Sequence, residues 1–287
     1  MYVSWKNILT NLKNKYGCLW NNSQQNWKAA KDKGLLDAEM APVILETKAG
    51  TKIMDTDEHP RPDVTLEKLG KLNPVFKKDG VVTAANASGI CDGAASIVVA
   101  SEHAVEKYKL QPLARLVSYG ITGCDPTIMG IGPVSAIRQA LQRSNVAMSQ
   151  VDRIEINEAF AAQFLACAME LDIDMDKTNL HGGAISLGHP TGASGTLVPC
   201  QSLFVVWLFW WPAGHVMSCH VNWFTTVGSQ HGSLLLLWWW LLYFFSGARI
   251  VAHLAHEFHQ EGSTAQLSIG SACIGGGQGI AILLEKA

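Results

Sequence analysis

Residues 196–247 contain no Asp, Glu, Lys or Arg, yet they hold seven of the ten tryptophans and 13 of the 24 Phe, Trp and Tyr residues. A chain carrying such a tract must span a membrane, bury the tract in a core, or tolerate it as an insertion. The two apolar runs, Leu203 to Trp211 and Leu234 to Phe245, both fall short of the roughly 20 residues a membrane helix needs. Pro212, Gly214 and polar residues separate them, so no membrane span is expected. Removing the tract lets Ser194-Gly195 read directly into Ala248-Arg249-Ile250-Val251, and the tract opens and closes on an echo, Ser194-Gly195 and Ser246-Gly247. It therefore reads as an insertion of the kind an unspliced intron would encode. Its Cys200, His215, Cys219, His220 and His231 lack the paired spacing of a zinc site, and no metal is expected anywhere in the chain.

The rest of the sequence alternates short apolar runs with helical stripes, the pattern of an α/β fold. Twenty-two Lys and Arg against 24 Asp and Glu create no field that favours nucleic acid. Seven scattered cysteines, at 18, 91, 124, 167, 200, 219 and 273, read as free thiols in a reducing compartment. Residues 1–22 form an unassigned leader, and 23–78 are polar and proline-punctuated with a helix near Trp27 to Leu36. The turn cluster Asn86-Ala87-Ser88-Gly89 leads through Asp92-Gly93 into Ile97-Val98-Val99-Ala100, read as a buried strand. Pro133 opens a helix lined by Val134, Ile137 and Leu141. Arg153-Ile154-Glu155-Ile156 alternates as a strand, and Asn157 then caps a helix whose Phe160, Phe164 and Ala168 share a stripe. Ala248 to Phe258 is an amphipathic helix, with His253, His256 and His259 read as its solvated edge. Two glycine segments, 181–195 and 273–279, lack the Lys-Ser/Thr of a phosphate-binding loop. The second runs into Ile280-Ala281-Ile282-Leu283-Leu284, so a glycine loop feeding a buried strand occurs twice, the mark of a duplicated α/β fold.

Three segments carry a resemblance: Asn157-Glu158-Ala159-Phe160, Gly188-His189-Pro190 within its glycine run, and Cys273-Ile274-Gly275-Gly276-Gly277. In this order they resemble the C-terminal half of thiolases. Asn86-Ala87-Ser88-Gly89 and Gly123-Cys124-Asp125-Pro126 also fit. The wording around Phe76-Lys77-Lys78-Asp79-Gly80 and Ile128-Met129-Gly130-Ile131-Gly132-Pro133 is most similar to the mitochondrial 3-ketoacyl-CoA branch of the family. The resemblance implies a duplicated αβαβα fold, truncated at the N-terminus. It divides the chain into a loop-domain remnant over 23–78, closing strands of an N-terminal domain over 79–110, and a C-terminal domain over 111–287 interrupted by 196–247. It further implies thiolysis of 3-ketoacyl-CoA in fatty-acid β-oxidation, in the mitochondrion, with coenzyme A or acyl-CoA as substrate and no permanently bound cofactor.

Thiolysis needs a nucleophilic thiolate, a group that moves a proton at the α-carbon, and donors for the thioester oxygen. By resemblance Cys273 is the α-carbon acid/base, with its pKa lowered by N–H groups of the following glycines. His189 activates the nucleophile and donates to the thioester oxygen, Asn157 positions a water in an oxyanion hole, and Ser88 contacts the pantetheine arm of coenzyme A. The family's nucleophile lies in a Cys-x-Ser-Gly context, which none of the seven cysteines has. The chain is thus expected to be inactive alone. Its expected partners are acyl-CoA and other copies of itself or a complete thiolase subunit; the alternatives are a non-catalytic partner chain and a non-functional, intron-retaining product.

Overall fold

The computed structural model describes residues 19, 21–78, 80–190, 207–209 and 245–287. The expected leader, apart from Leu19 and residues 21–22, and most of the 196–247 tract lie outside them. At the centre is a five-stranded sheet. β4 (Arg153–Ile156) runs parallel to β6 (Leu267–Ile274), which turns back antiparallel into β7 (Gln278–Lys286). β7 pairs antiparallel with β3 (Pro112–Gly123), whose outer edge takes the short β5 (Trp207–Phe209). Successive side chains of a strand point to opposite faces, and β7 uses both. Ala281 and Leu283 join one core with α4 (Gly132–Ser144) and α5 (Ala161–Leu171). Ile282 and Leu284 join a second core with α7 (Phe245–Glu257). The result is a helix–sheet–helix sandwich, and it explains why residues 280–284 read as continuously apolar.

The expected helix at Pro133 is α4, with Val134, Ile137 and Leu141 all buried. The stripe Ile250, Val251, Leu254, Ala255 and Phe258 is buried beneath the sheet. Around this sandwich lie α1 (residues 21–32), with Ser23, Gln24, Trp27 and Ala30 on its inner face, and the hairpin β1 (Val43–Thr47) with β2 (Gly50–Met54). Short helices α2 (Leu66–Gly70), α3 (Glu102–Tyr108) and α6 (Ala184–Leu187) complete the described chain. None of the described helices is long and apolar enough to cross a membrane.

Three readings of the sequence are corrected. Ile97 to Ala100 form no strand, and Val98 and Val99 stand 59 % and 48 % exposed. A strand needs a neighbour for its N–H and C=O groups, and no described residue supplies one. Asn157 is not a helix cap: α5 begins four residues later with Phe160 at its N-cap, whose N–H donates to Gln163 Oε1 at 3.4 Å. His253 is not a solvated edge. It is buried, with its Nδ1 against Glu39 at 2.9 Å. Although burial alone would lower its pKa, the charges of Glu39 and Glu257 raise it to about 10.

Candidate active site

The segment Asn86–Ile90 runs between two of the quoted motifs and ties them together. Asn86 accepts from the Ala161 N–H at 2.8 Å, and Ala87 bridges Phe160. Ser88 donates twice to the Ala159 carbonyl, from its N–H at 3.0 Å and its Oγ at 3.1 Å. Gly89 accepts from the His189 N–H at 2.7 Å, and Ile90 bridges His189 in parallel. On the other side, the Asn157 N–H donates to the Ser271 carbonyl at 2.9 Å, two residues before Cys273 on β6. Ser88, Asn157, His189 and Cys273 are therefore joined by one continuous set of backbone contacts at the end of the parallel β4–β6 pair. This is where an open α/β sheet leaves a crevice beyond the carboxyl ends of its strands.

His189 follows α6 directly, and the turn between them is made by Gly188 at φ +91°. A Cβ there would lie 2.6 Å from the Cys91 Sγ, so the tight approach of Cys91 to this turn requires glycine. Burial, and then the charge of Arg249, holds the His189 imidazole below its usual pKa, so it is neutral at pH 7. Asn157 is 1 % exposed, and its Nδ2 has no hydrogen-bond partner among the described residues. A buried amide donor without a partner is costly, which marks it as a group held ready for something else. Cys273 is partly exposed, and burial pushes its thiol upward. That corrects the expectation of a lowered pKa: only its own backbone N–H lowers it. Burial likewise raises Cys91, and takes Cys167 to about 12. None of these three thiols is a ready thiolate.

One residue of the Asn157-Glu158-Ala159-Phe160 motif had been given no role. Glu158 is 1 % exposed and gathers three donors: Ser23 Oγ at 2.7 Å, Asn179 Nδ2 at 2.9 Å and the Ile185 N–H at 3.2 Å. Burial raises its pKa, against these hydrogen bonds. It clamps α1, the loop before His181, and α6 to the end of β4. Gly183 makes room for it, since a Cβ there would stand 2.3 Å from the Glu158 Cδ. The sequence offers one signal: a carboxylate inside an apolar motif, Asn157-Glu158-Ala159-Phe160, that no neighbouring basic residue balances.

Comparison with known proteins decides the relationship. "Thiolase, N-terminal domain" matches residues 21–103, and "Thiolase, C-terminal domain" matches residues 110–206 and 244–286. The chain belongs to the thiolase family. The mitochondrial 3-ketoacyl-CoA thiolase of Pongo abelii is 46% identical over 264 residues, 92% of this chain and 53% of that one. The Homo sapiens protein of the same name is 45% identical over the same span. The chain thus spans about half the length of the curated thiolases it matches. The crystal structure of human mitochondrial 3-ketoacyl-CoA thiolase superposes with a TM-score of 0.72 at 42% identity, covering 96% of this chain and 56% of that one. The same enzyme in complex with CoA superposes at 0.71. The α/β sandwich described above is a thiolase-like fold.

Proposed function

We propose that the protein takes part in thiolysis of 3-ketoacyl-CoA, the reaction named in its relatives, with Ser88, Asn157, His189 and Cys273 as the site residues. The observation that carries this reading is the Asn157 Nδ2, a buried donor without a described partner, anchored through Ser271 to the strand that bears Cys273. In thiolysis a thiolate attacks the 3-keto carbon, the C2–C3 bond breaks, and the electron pair leaves on the acetyl-CoA α-carbon. A thiol held protonated at neutral pH, as Cys273 is, supplies the proton that this carbon then takes. The neutral imidazole of His189 donates to the thioester oxygen, where the enolate charge gathers, and Asn157 holds a water beside it. Ser88 lies at the rim and meets the pantetheine arm of the CoA, the ligand with which a relative was solved.

On this reading residues 23–78 belong to the loop domain, 79–110 close the N-terminal half of a duplicated fold, and 111–287 form the C-terminal half with 196–247 inserted. The protein then works in the mitochondrion. The attacking thiolate has no Cys-x-Ser-Gly context in these 287 residues, so the isolated polypeptide is inactive. Intact and peptide mass spectrometry of the native protein tests this. A mass near that of the relatives, with a peptide joining Gly195 to Ala248, supports an ordinary thiolase. In such a protein Cys273→Ala and His189→Ala each lower thiolysis by about 10²–10⁴-fold. Full thiolysis by the purified 287-residue chain overturns the assignment of roles.

A second reading, a chain that pairs with other thiolase subunits, is favoured by the β1–β2 hairpin. Its Val43, Ile44 and Ile53 are 54 %, 61 % and 59 % exposed, and a two-stranded hairpin bare on both faces is marginal in water. Co-purification of a complete subunit with a 31 kDa species carrying the tract supports this version.

A further inference from the structure

Four side chains that are far apart in sequence meet on the α7 side of the sheet, away from Cys273. His253 and Glu257 stand one turn apart on α7, His181 precedes α6, and Glu39 follows α1. The His181 Nδ1 lies 3.3 Å from the His253 Nε2 and 3.2 Å from a Glu257 carboxylate oxygen, while the latter two atoms are 4.0 Å apart. These side chains are 11 %, 5 % and 4 % exposed. A four-coordinate zinc ion with bonds of about 2.0–2.1 Å holds its ligand atoms about 3.3 Å apart. Two of the three edges already have this length, and rotation of the Glu257 carboxylate closes the third.

We propose that His181, His253 and Glu257 form a zinc site, with Glu39 as the carboxylate that orients His253. The hydrogen-bond arithmetic supports it. The single Nδ1 of His181 faces both a ring nitrogen and a carboxylate oxygen, and its one proton or one lone pair cannot serve both. A cation among the three serves all of them. Glu39 grips the His253 Nδ1 with both oxygens, at 2.9 and 3.0 Å. It thereby accepts the hydrogen bond of that nitrogen and directs the Nε2 at the cluster, where a metal can displace its proton, the outer-shell arrangement common to metal-bound histidines. Metal binding displaces the second proton that Glu39 and Glu257 otherwise hold on His253, and the same two carboxylates then balance the dication. The two-nitrogen, one-oxygen ligand set suits zinc. The fourth position faces a surface cavity of about 130 Å³ lined by Arg153, His181, Glu257, Gln260 and Ser263, where water or a small anion completes the sphere.

The test uses the full chain after chelation, titrated calorimetrically with ZnCl₂, and spectroscopically with Co²⁺ in place of zinc. One equivalent should bind per chain, and Co²⁺ should give the visible d–d absorption of a four-coordinate nitrogen and oxygen centre. Glu39→Gln should weaken binding by about 10–100-fold, His181→Asn by at least as much, and His103→Asn on α3 should change nothing. An unfolding scan of each variant confirms that it folds, and the wild-type cobalt spectrum does not depend on any variant. Absence of binding overturns the proposal. So does zinc affinity that survives His181→Asn, or a thiolate-to-cobalt charge-transfer band, which would place the metal on cysteines.

Discussion

At Asn157 and Glu158, adjacent residues of one motif, burial leads to opposite outcomes. Asn157 leaves its Nδ2 without a described partner, and such a group costs about 1–3 kcal/mol. Asn157→Ala removes that cost along with some packing, so its urea-unfolding free energy should lie within about 1 kcal/mol of wild type. A larger loss would make Asn157 a structural residue and would remove the main support for its proposed role. Glu158 is the reverse case, because Ser23, Asn179 and Ile185 all direct donors at it. Glu158→Ala removes an acceptor from all three donors, of which Ser23 and Asn179 keep one other acceptor each, and should cost about 2–4 kcal/mol in the same measurement. Gly183→Ala should destabilise through the same carboxylate, by about 1–3 kcal/mol for a methyl group forced into a filled space.

At the scale of elements, β4 shows what an alternating pattern reveals and what it conceals. Arg153-Ile154-Glu155-Ile156 announces a strand, and the strand forms. The same alternation implies that Glu155 faces water, yet α7 covers that face, leaving Glu155 2 % exposed against Arg249 at 3.2 Å. Sequence periodicity reports which residues share a face, not whether another element lies over it. The histidine series on α7 fails for a geometric reason. Steps of three residues drift about 60° on a 3.6-residue helix, so His253 lies within the apolar stripe and His256 only partly so, while His259 lies past the end of α7 with its Nε2 against the Leu113 carbonyl at 2.8 Å. The quoted motifs were legible because their glycines and polar residues sit in apolar surroundings; the clamp at Glu158 and the partners of His253 were not, because they depend on contacts between separate elements, with Ser23 135 residues from Glu158 and Glu39 214 residues from His253. Burial of Glu155, partly offset by Arg249, raises its pKa to about 7, above the roughly 4.3 of an unfolded glutamate. A carboxyl raised in this way contributes stability that is full below the unfolded value and is lost as pH rises through 7. Glu155→Gln cannot titrate, so between pH 5 and pH 8 it should gain about 2–3 kcal/mol relative to wild type. Parallel stability profiles for the two proteins would show that Glu155 is ionised throughout.

For the whole molecule, the decisive question is whether residues 196–247 belong to the fold. The family match passes from 206 to 244, and among the described residues the two cores are built from segments on either side of the tract, ending at Ile185 and resuming at Ile250. The described contributions of this stretch are β5, which pairs with β3 only at Pro112 and Arg115, and the first three residues of α7, Phe245 to Gly247. Joining Gly195 directly to Ala248 shortens the connection between Pro190 and α7 roughly tenfold, and loop-closure entropy then favours the shorter chain by about 2 kcal/mol. Two lost register pairs at a sheet edge offset part of this. The deletion variant should therefore unfold cooperatively, at a urea midpoint equal to or above that of the 287-residue chain. It should also remain in solution more readily, since it sheds seven tryptophans and no charged residue. If the deletion instead abolishes the cooperative transition, the tract carries part of the core, and an unspliced intron cannot be its origin, because a translated intron has no history of selection for packing against α7 and the sheet.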